Sequence, residues 1–159
     1  MSTMSFLTSF QKDRTQCVFL NGQHSTEGIV ECGIPQGCIF GPLVFCIFIN
    51  DLPQHIINDN VVCDLFADDN SIHSCGSDLQ SVQTFLQESL NDVPKWYDQN
   101  CMVIHLHKTK CMVLTTTKKH HRRPLTLNLT LGKSPVQQVR EHRVLVIIIA
   151  EELKWESHR

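Results

Sequence analysis

Two adjacent aspartates, Asp68 and Asp69, follow Phe66-Ala67 and precede Asn70. A carboxylate pair of this kind supplies oxygen ligands suited to Mg²⁺, which takes one or two carboxylates together with substrate phosphates more readily than an all-protein cage. Taken alone, Asp-Asp-Asn is also an ordinary turn composition, because short polar side chains hydrogen-bond their own backbone and tolerate left-handed conformations. The flanking residues narrow the choice. VVCDLF on one side and SIHS on the other are β-rich, so residues 61–74 read as a hairpin with its acidic residues at the 67–70 tip. At such a tip strand alternation is broken, and both carboxylates can project to one side.

Other elements must position that tip. Residues 33–41 (GIPQGCIFG) hold three glycines and a proline in nine positions, too many breakers for a helix interior, and predict a shaped loop. The apolar run 42–52 predicts a buried helix, with Pro42 in its first turn, where a missing N–H costs nothing, and Pro53 ending it. Residues 15–32 alternate apolar and polar about Asn21-Gly22, which predicts a hairpin. Downstream, Ser77 and Asp78 can cap a helix whose apolar positions (Leu79, Val82, Leu86, Leu90, Val93, Tyr97) step by three and four. Gln80 would complete the capping box, and Pro94 predicts a kink or split with Asp92 recapping a second helix. Strands are expected at 102–106, 110–116, 125–131 and 144–150, the last fully buried, with 118–124 as an exposed connection.

Length and composition bound the class. With 159 residues and 42% hydrophobic content, the chain has the size of one domain and enough apolar surface for a core. A net charge of −2 gives no global basic field, so any nucleic-acid contact depends on local patches. Between residues 50 and 100 nine acids face one base, Lys95, whereas residues 105–123 hold six Lys or Arg and no acid. That asymmetry fits a cation-binding centre beside a phosphate-facing segment, and equally two solvated faces of opposite sign. The eight cysteines lack any C-x-x-C and read as reduced thiols, mostly buried as small hydrophobes. The first ten residues lack a secretory pattern, and the longest apolar stretch, 38–49, is shorter than the roughly 20 residues of a membrane span. A soluble intracellular chain, nuclear or cytoplasmic and without a membrane partner, is the expectation. The histidines, including His120-His121 and His105-x-His107, have no zinc-site spacing. Trp96 and Trp155 read as core anchors before base-stacking platforms.

Taken in order, Gly33-Ile34-Pro35-Gln36-Gly37, Gly41-Pro42, Phe45, Ile49-Asn50-Asp51-Leu52 and, about thirty residues after the glycine loop, Phe66-Ala67-Asp68-Asp69 closely resemble non-LTR (LINE-type) retrotransposon reverse transcriptases. Further matches are Trp96-x-x-x-Asn100, Lys108-Thr109, and Glu152-Leu153-Lys154-Trp155 followed by His158, so the resemblance runs from about Gln11 to the last residue. It implies an α+β fold, a partial reverse transcriptase palm with an antiparallel sheet backed by two or three helices. Residues 1–117 would form the truncated palm and 118–159 its end and the start of the thumb connection. It implies RNA-directed DNA synthesis with Mg²⁺, deoxynucleoside triphosphates and an RNA or DNA primer-template.

Position by position, the resemblance makes Asp68 and Asp69 catalytic metal ligands. Lys108 would act near the leaving pyrophosphate as a charge or an acid, with a solvated surface lysine as the alternative. Pro35, Gln36, Gly37, Phe66 and Ala67 become nucleotide- and template-binding residues, Gly37 because a side chain there would block close backbone approach. In the family a second aspartate-bearing strand precedes the segment resembling residues 6–20, and two metals about 3.5–4 Å apart need carboxylates from both strands. The expectation is therefore a chain inactive alone, with a missing upstream half as a possible partner. Cys38, Asn70, His105, Val146 and Ala150 stand where serine, threonine, asparagine, glycine and aspartate are usual, in keeping with a decayed copy. The alternative is a non-catalytic nucleic-acid-binding remnant that uses residues 105–123. An exposed sheet edge beside VLVIIIA (144–150) would add an aggregation hazard.

Overall fold

A computed structural model describes residues 3–35, 37–56, 58–115 and 125–153. The architecture is mixed: helices combined with small two-stranded sheets, nearly all antiparallel. Backbone packing divides the chain into two units, residues 1–49 and 50–159.

The first unit contains α1 (Thr3–Gln11), β1 (Thr15–Gln16), β2 (Phe19–Leu20), β3 (Gln23–His24), β4 (Gly28–Ile29) and α2 (Gly41–Ile49). The hairpin expected about Asn21-Gly22 is present. Both turn residues have positive φ, 51° and 80°, the requirement of a type I′ turn, which Asn-Gly meets with least strain. Phe19 pairs with His24 and Leu20 with Gln23, but Thr15 pairs with Ile29 and Gln16 with Gly28. The register slips by one between the two ladders, so Cys17 faces both Thr26 and Glu27 and the arms carry a β-bulge. The glycine-rich 33–41 segment is irregular, as expected.

α2 corrects the sequence reading twice. It ends at Ile49, not Leu52, and Pro53 does not stop it but occupies the first turn of a separate short helix, α3 (Leu52–His55). Its burial is slight: Leu43 and Ile47 are 60% and 67% exposed, and Ile49 is its one buried residue. GPLVFCIFI has no polar face, so hydropathy alone assigns it no inward direction.

In the second unit, β5 (Val61–Phe66) and β6 (Asp69–Ser74) form the expected hairpin over a two-residue turn, Ala67-Asp68. Val61, Cys63 and Leu65 share a half-buried face with their partners Ser74, Ile72 and Asn70; the intervening residues are exposed. Beside both strands packs α4 (Leu79–Gln99). Of the two expected caps, Ser77 and Asp78, it is Asp78 that forms the N-cap, accepting from the Ser81 amide at 2.8 Å and from Ser81 Oγ at 2.7 Å, so Ser81 and not Gln80 completes the cap. α4 is also one uninterrupted helix through Pro94, not two. The lost hydrogen bond and ring clash cost about 3 kcal/mol. Burial of Val93, Trp96 and Tyr97 around the proline offsets this, at about 1.5–3 kcal/mol for each large apolar side chain. Trp96, 1% exposed, anchors the core together with Leu52, Ile56, Leu127, Leu129 and Leu131.

Three further strand expectations are corrected. Residues 102–106 form no strand, and of 110–116 the described strand is only β7 (Lys110–Cys111). Residues 125–131 pair only at their end, as β8 (Thr130–Leu131) against β9 (Ser134–Pro135). Yet Leu127, Leu129 and Leu131 alternate inward like a strand, because glutamine side chains stand in for a neighbouring backbone. Gln138, in β10 (Gln137–Gln138, parallel to β7), accepts from Leu127 N and donates to Leu125 O, both at 2.8 Å. From α4, Gln83 accepts from Asn128 N at 2.9 Å, while Gln87 accepts from Thr130 N at 2.8 Å and donates to Thr130 O at 3.0 Å.

The apolar 144–150 run is not one buried strand but the turn and second arm of a hairpin, β11 (Glu141–Val144) with β12 (Ile147–Ala150). Leu145, at φ 56°, starts the turn, and Val146 is 78% exposed. No Gly, Asn or Asp marks that turn, which is why the run reads as continuous. All eight cysteines are free, but none is buried and five are exposed, against the expectation of burial. The five exposed ones lie in loops, turns or the weakly buried α2, whereas Cys63 and Cys111, which are in strands, are half-buried. The expected 118–124 connection, His120-His121 and Trp155 lie outside the described residues. Among the described residues no helix is long and apolar enough to cross a membrane.

Two outcomes follow for stability. The Ser81 side-chain hydrogen bond, then its backbone bond, holds the Asp78 carboxyl below the ordinary carboxylate range. Its contribution is thus complete above the unfolded-state value and disappears as pH falls through the lower folded value. Asp78→Ala is expected to lower the urea midpoint at neutral pH and to make stability less sensitive to acidification, read by circular dichroism at several pH values. Gln138→Ala, which strips two part-buried hydrogen bonds, is expected to cost about 2 kcal/mol, and Gln87→Ala, whose Thr130 partner is exposed and rehydrates, about 1 kcal/mol in urea unfolding.

Candidate metal and nucleotide site

The acidic tip is shorter than the 67–70 span read from the sequence. Only Ala67 and Asp68 form the turn; Asp69 is the first residue of β6 and closes the ladder opposite Phe66. Asp69 therefore leaves the strand on the exposed face, and Asn70 leaves it on the half-buried one. Ala67 adopts φ 51° while Asp68 does not adopt positive φ, the φ pattern of a type II′ turn, in which glycine is the usual first residue.

Asp68 and Asp69 both line a cavity of about 620 Å³ within the second unit. Neither carboxylate makes a side-chain hydrogen bond or ion pair among the described residues. Unpaired carboxylate oxygens facing a cavity are the donor set that suits Mg²⁺, which fills its remaining positions with water and phosphate. Among the described residues no group of three or more His, Cys, Asp or Glu is placed to hold a metal, so these two stand as a pair.

Lys108 lines the same cavity. It sits in a tight turn built on the His105 carbonyl, which accepts from Lys108 N at 3.0 Å, Thr109 N at 3.1 Å and Thr109 Oγ1 at 3.2 Å. His105 and Lys110 line the cavity too, as do His142 and Arg143 of β11. Acidic and basic groups thus share one space. His142 and Arg143 are missing from the sequence-derived site, because the apolar run was taken to begin at 144 and the residues before it were left unassigned. The signal available was the Arg140 to Arg143 cluster (REHR) directly ahead of that run.

Of the remaining expected residues, the two in the second unit do not line this cavity. Phe66 is exposed, and neither it nor Ala67 lines the cavity. Pro35, half-buried, and Gly37, exposed, belong to the first unit, and Gln36 lies outside the described residues. Gly37 has φ 78° and open space around a would-be Cβ, so its backbone conformation is itself a reason for glycine.

Two groups behind the tip titrate abnormally. Burial first, then the Cys63 and Asp68 charges, push the Tyr97 phenol up, against the opposing effect of its Asn70 hydrogen bond. Burial, with Asp64 adding, raises the Cys63 thiol. Both groups remain protonated and neutral near pH 7.

The family model described as reverse transcriptase (RNA-dependent DNA polymerase) matches residues 2–149. The RNA-directed DNA polymerase from mobile element jockey of Drosophila melanogaster is 23% identical over 155 residues, covering 94% of this chain and 16% of that protein. Its Drosophila funebris counterpart is 24% identical over 96% of this chain and 17% of the relative. The Pol polyprotein from type-1 retrotransposable element R1 2 of Nasonia vitripennis is 25% identical over 79% of this chain and 31% of the relative. The chain thus spans about a sixth of the jockey proteins' length. No solved structure matches.

The left-handed alanine at the tip yields a direct test. Ala67→Gly removes a Cβ penalty of about 1 kcal/mol, and the substitution is expected to raise the urea midpoint accordingly.

Proposed function

Since the chain belongs to the reverse transcriptase (RNA-dependent DNA polymerase) family, with non-LTR retrotransposon polymerases as its relatives, we propose that its second unit carries the Phe66-Ala67-Asp68-Asp69 part of a nucleotidyl-transfer centre. The observation that carries this reading is the shared cavity, in which an unpaired carboxylate couple and the basic residues Lys108 and Arg143 line one space. When bound, Mg²⁺ would neutralise phosphate charge and activate the attacking hydroxyl. Asp68 and Asp69 would hold it. Lys108 would face the leaving pyrophosphate as a charge or an acid, with His142 and Arg143 on the same phosphate side. Pro35, Gln36, Gly37, Phe66 and Ala67 remain the proposed nucleotide- and template-contacting residues. The substrates would be deoxynucleoside triphosphates on an RNA or DNA primer-template.

In this proposal residues 1–117 form palm, and residues 118–159 continue it toward the thumb. A two-metal centre takes carboxylates from two separate strands, so the Asp68-Asp69 couple would be half of a clamp completed by a carboxylate from another segment, and this chain alone would not extend a primer. The second reading, a non-catalytic nucleic-acid-binding remnant using residues 105–123, is supported by His105, Lys108 and Lys110 lining the same cavity.

Two measurements decide between them. Mn²⁺ added to the chain is expected to broaden the Asp68 and Asp69 amide resonances. Asp68→Asn is expected to weaken that effect at least tenfold, since even outer-shell changes at metal sites cost about 10–100-fold. Primer extension by the chain alone that persists in Asp68→Asn would overturn the proposed centre. Salt-sensitive RNA binding with no Mn²⁺ response would favour the remnant instead.

A further inference from the structure

Behind the proposed metal-binding tip lies a contact that the chemistry above leaves unused. Asn70 leaves β6 on the side opposite Asp69, and its Nδ2 donates to the Tyr97 hydroxyl of α4. Tyr97 is a constrained anchor: it is buried and lies edge-on to Trp96, with ring centroids 5.5 Å apart. Asn70 Oδ1, by contrast, is buried with no partner among the described residues. Turning the amide over would give Oδ1 to the Tyr97 hydroxyl and leave Nδ2 as the unmet atom. Either orientation leaves half of a buried amide unsatisfied.

Three residues earlier, Ala67 holds its positive φ. Residues 67–70 thus carry two local costs, and such costs persist only where the surroundings over-determine the conformation. Phe66, Ala67, Asp68 and Asp69 are all exposed, so none of them supplies that determination by burial. Asn70 is the tip residue that reaches the core, and a threonine at this position would be too short to span to the phenol.

We propose that Tyr97 and Asn70 are positioning residues, whose hydrogen bond ties the turn presenting Asp68 and Asp69 to the buried end of α4 and sets the carboxylate couple against the cavity. The assignment rests on the reading of Asp68 and Asp69 as metal ligands. The strut itself is physical and is read without metal or substrate, so it fails or stands separately from that reading.

Amide hydrogen exchange on the full chain is the test. Tyr97→Phe and Asn70→Thr are each expected to speed exchange of the protected amides in residues 65–70 about tenfold, matching the loss of one hydrogen bond that limits local opening. The double variant is expected to be no faster than either single one, because both remove the same bond. Exchange at Val62 and His73, at the far end of the hairpin, and around Ser89 in α4 is expected to stay within about twofold. Uniform acceleration across hairpin and helix would make the bond merely structural and overturn the proposal. Unchanged tip exchange, or additive effects in the double variant, would overturn it as well.

Discussion

A two-stranded ribbon has no independent stability in water, and the candidate site depends on how this one is backed. The β5–β6 hairpin has one half-buried face and one wet face. What gives it a fixed position is the C-terminal half of α4, where Val93, Trp96 and Tyr97 are buried around a proline. The helix tolerates Pro94 because its packing exceeds the local penalty, and the same packing supplies the rigid wall against which the hairpin rests. Metal ligation asks for carboxylates held within fractions of an ångström. In the proposed site that placement would begin with the Trp96–Tyr97 pair, to which Asn70 ties the tip.

The distribution of charge follows from this arrangement. The tip reaches beyond the packed face, so Asp68 and Asp69 stay exposed to solvent, while burial pushes up the Cys63 thiol and the Tyr97 phenol behind them. Basic residues enter the same cavity from three other elements, the turn at His105 to Thr109 and strands β7 and β11. A site divided among several elements can be altered piecewise, and two positions read from the sequence as departures from the family pattern, Asn70 and His105, lie in the hairpin and the turn.

What could be read from the sequence was whatever local chemistry alone determines. Asn21-Gly22 announced its turn because few other pairs accept two positive φ values, and the 61–74 hairpin announced itself through β-rich arms around a polar centre. Asp68, Asp69 and Lys108 were singled out through the resemblance, and they do share one cavity. The failures have a common origin in tertiary context. Pro94 was read as a kink or a split; the split does not occur, and the packing that prevents it is invisible in a pattern. The 144–150 run was read as one strand because its turn at Leu145-Val146 lacks turn residues, and that hid His142 and Arg143. The 125–131 segment was read as a paired strand because alternation reports burial, not the identity of the hydrogen-bond partner.

That last segment has a mechanical consequence. A peptide strand held by another strand is released by peeling, with each broken rung loosening the next. Residues 125–130 are instead held largely by the side-chain amides of Gln83, Gln87 and Gln138, and each of these can swing away by rotation about its own bonds while its main chain stays in place. The segment is therefore hinged at discrete points, compliant along its length, and able to trade a glutamine for an incoming backbone without disturbing the helix from which two of those glutamines come.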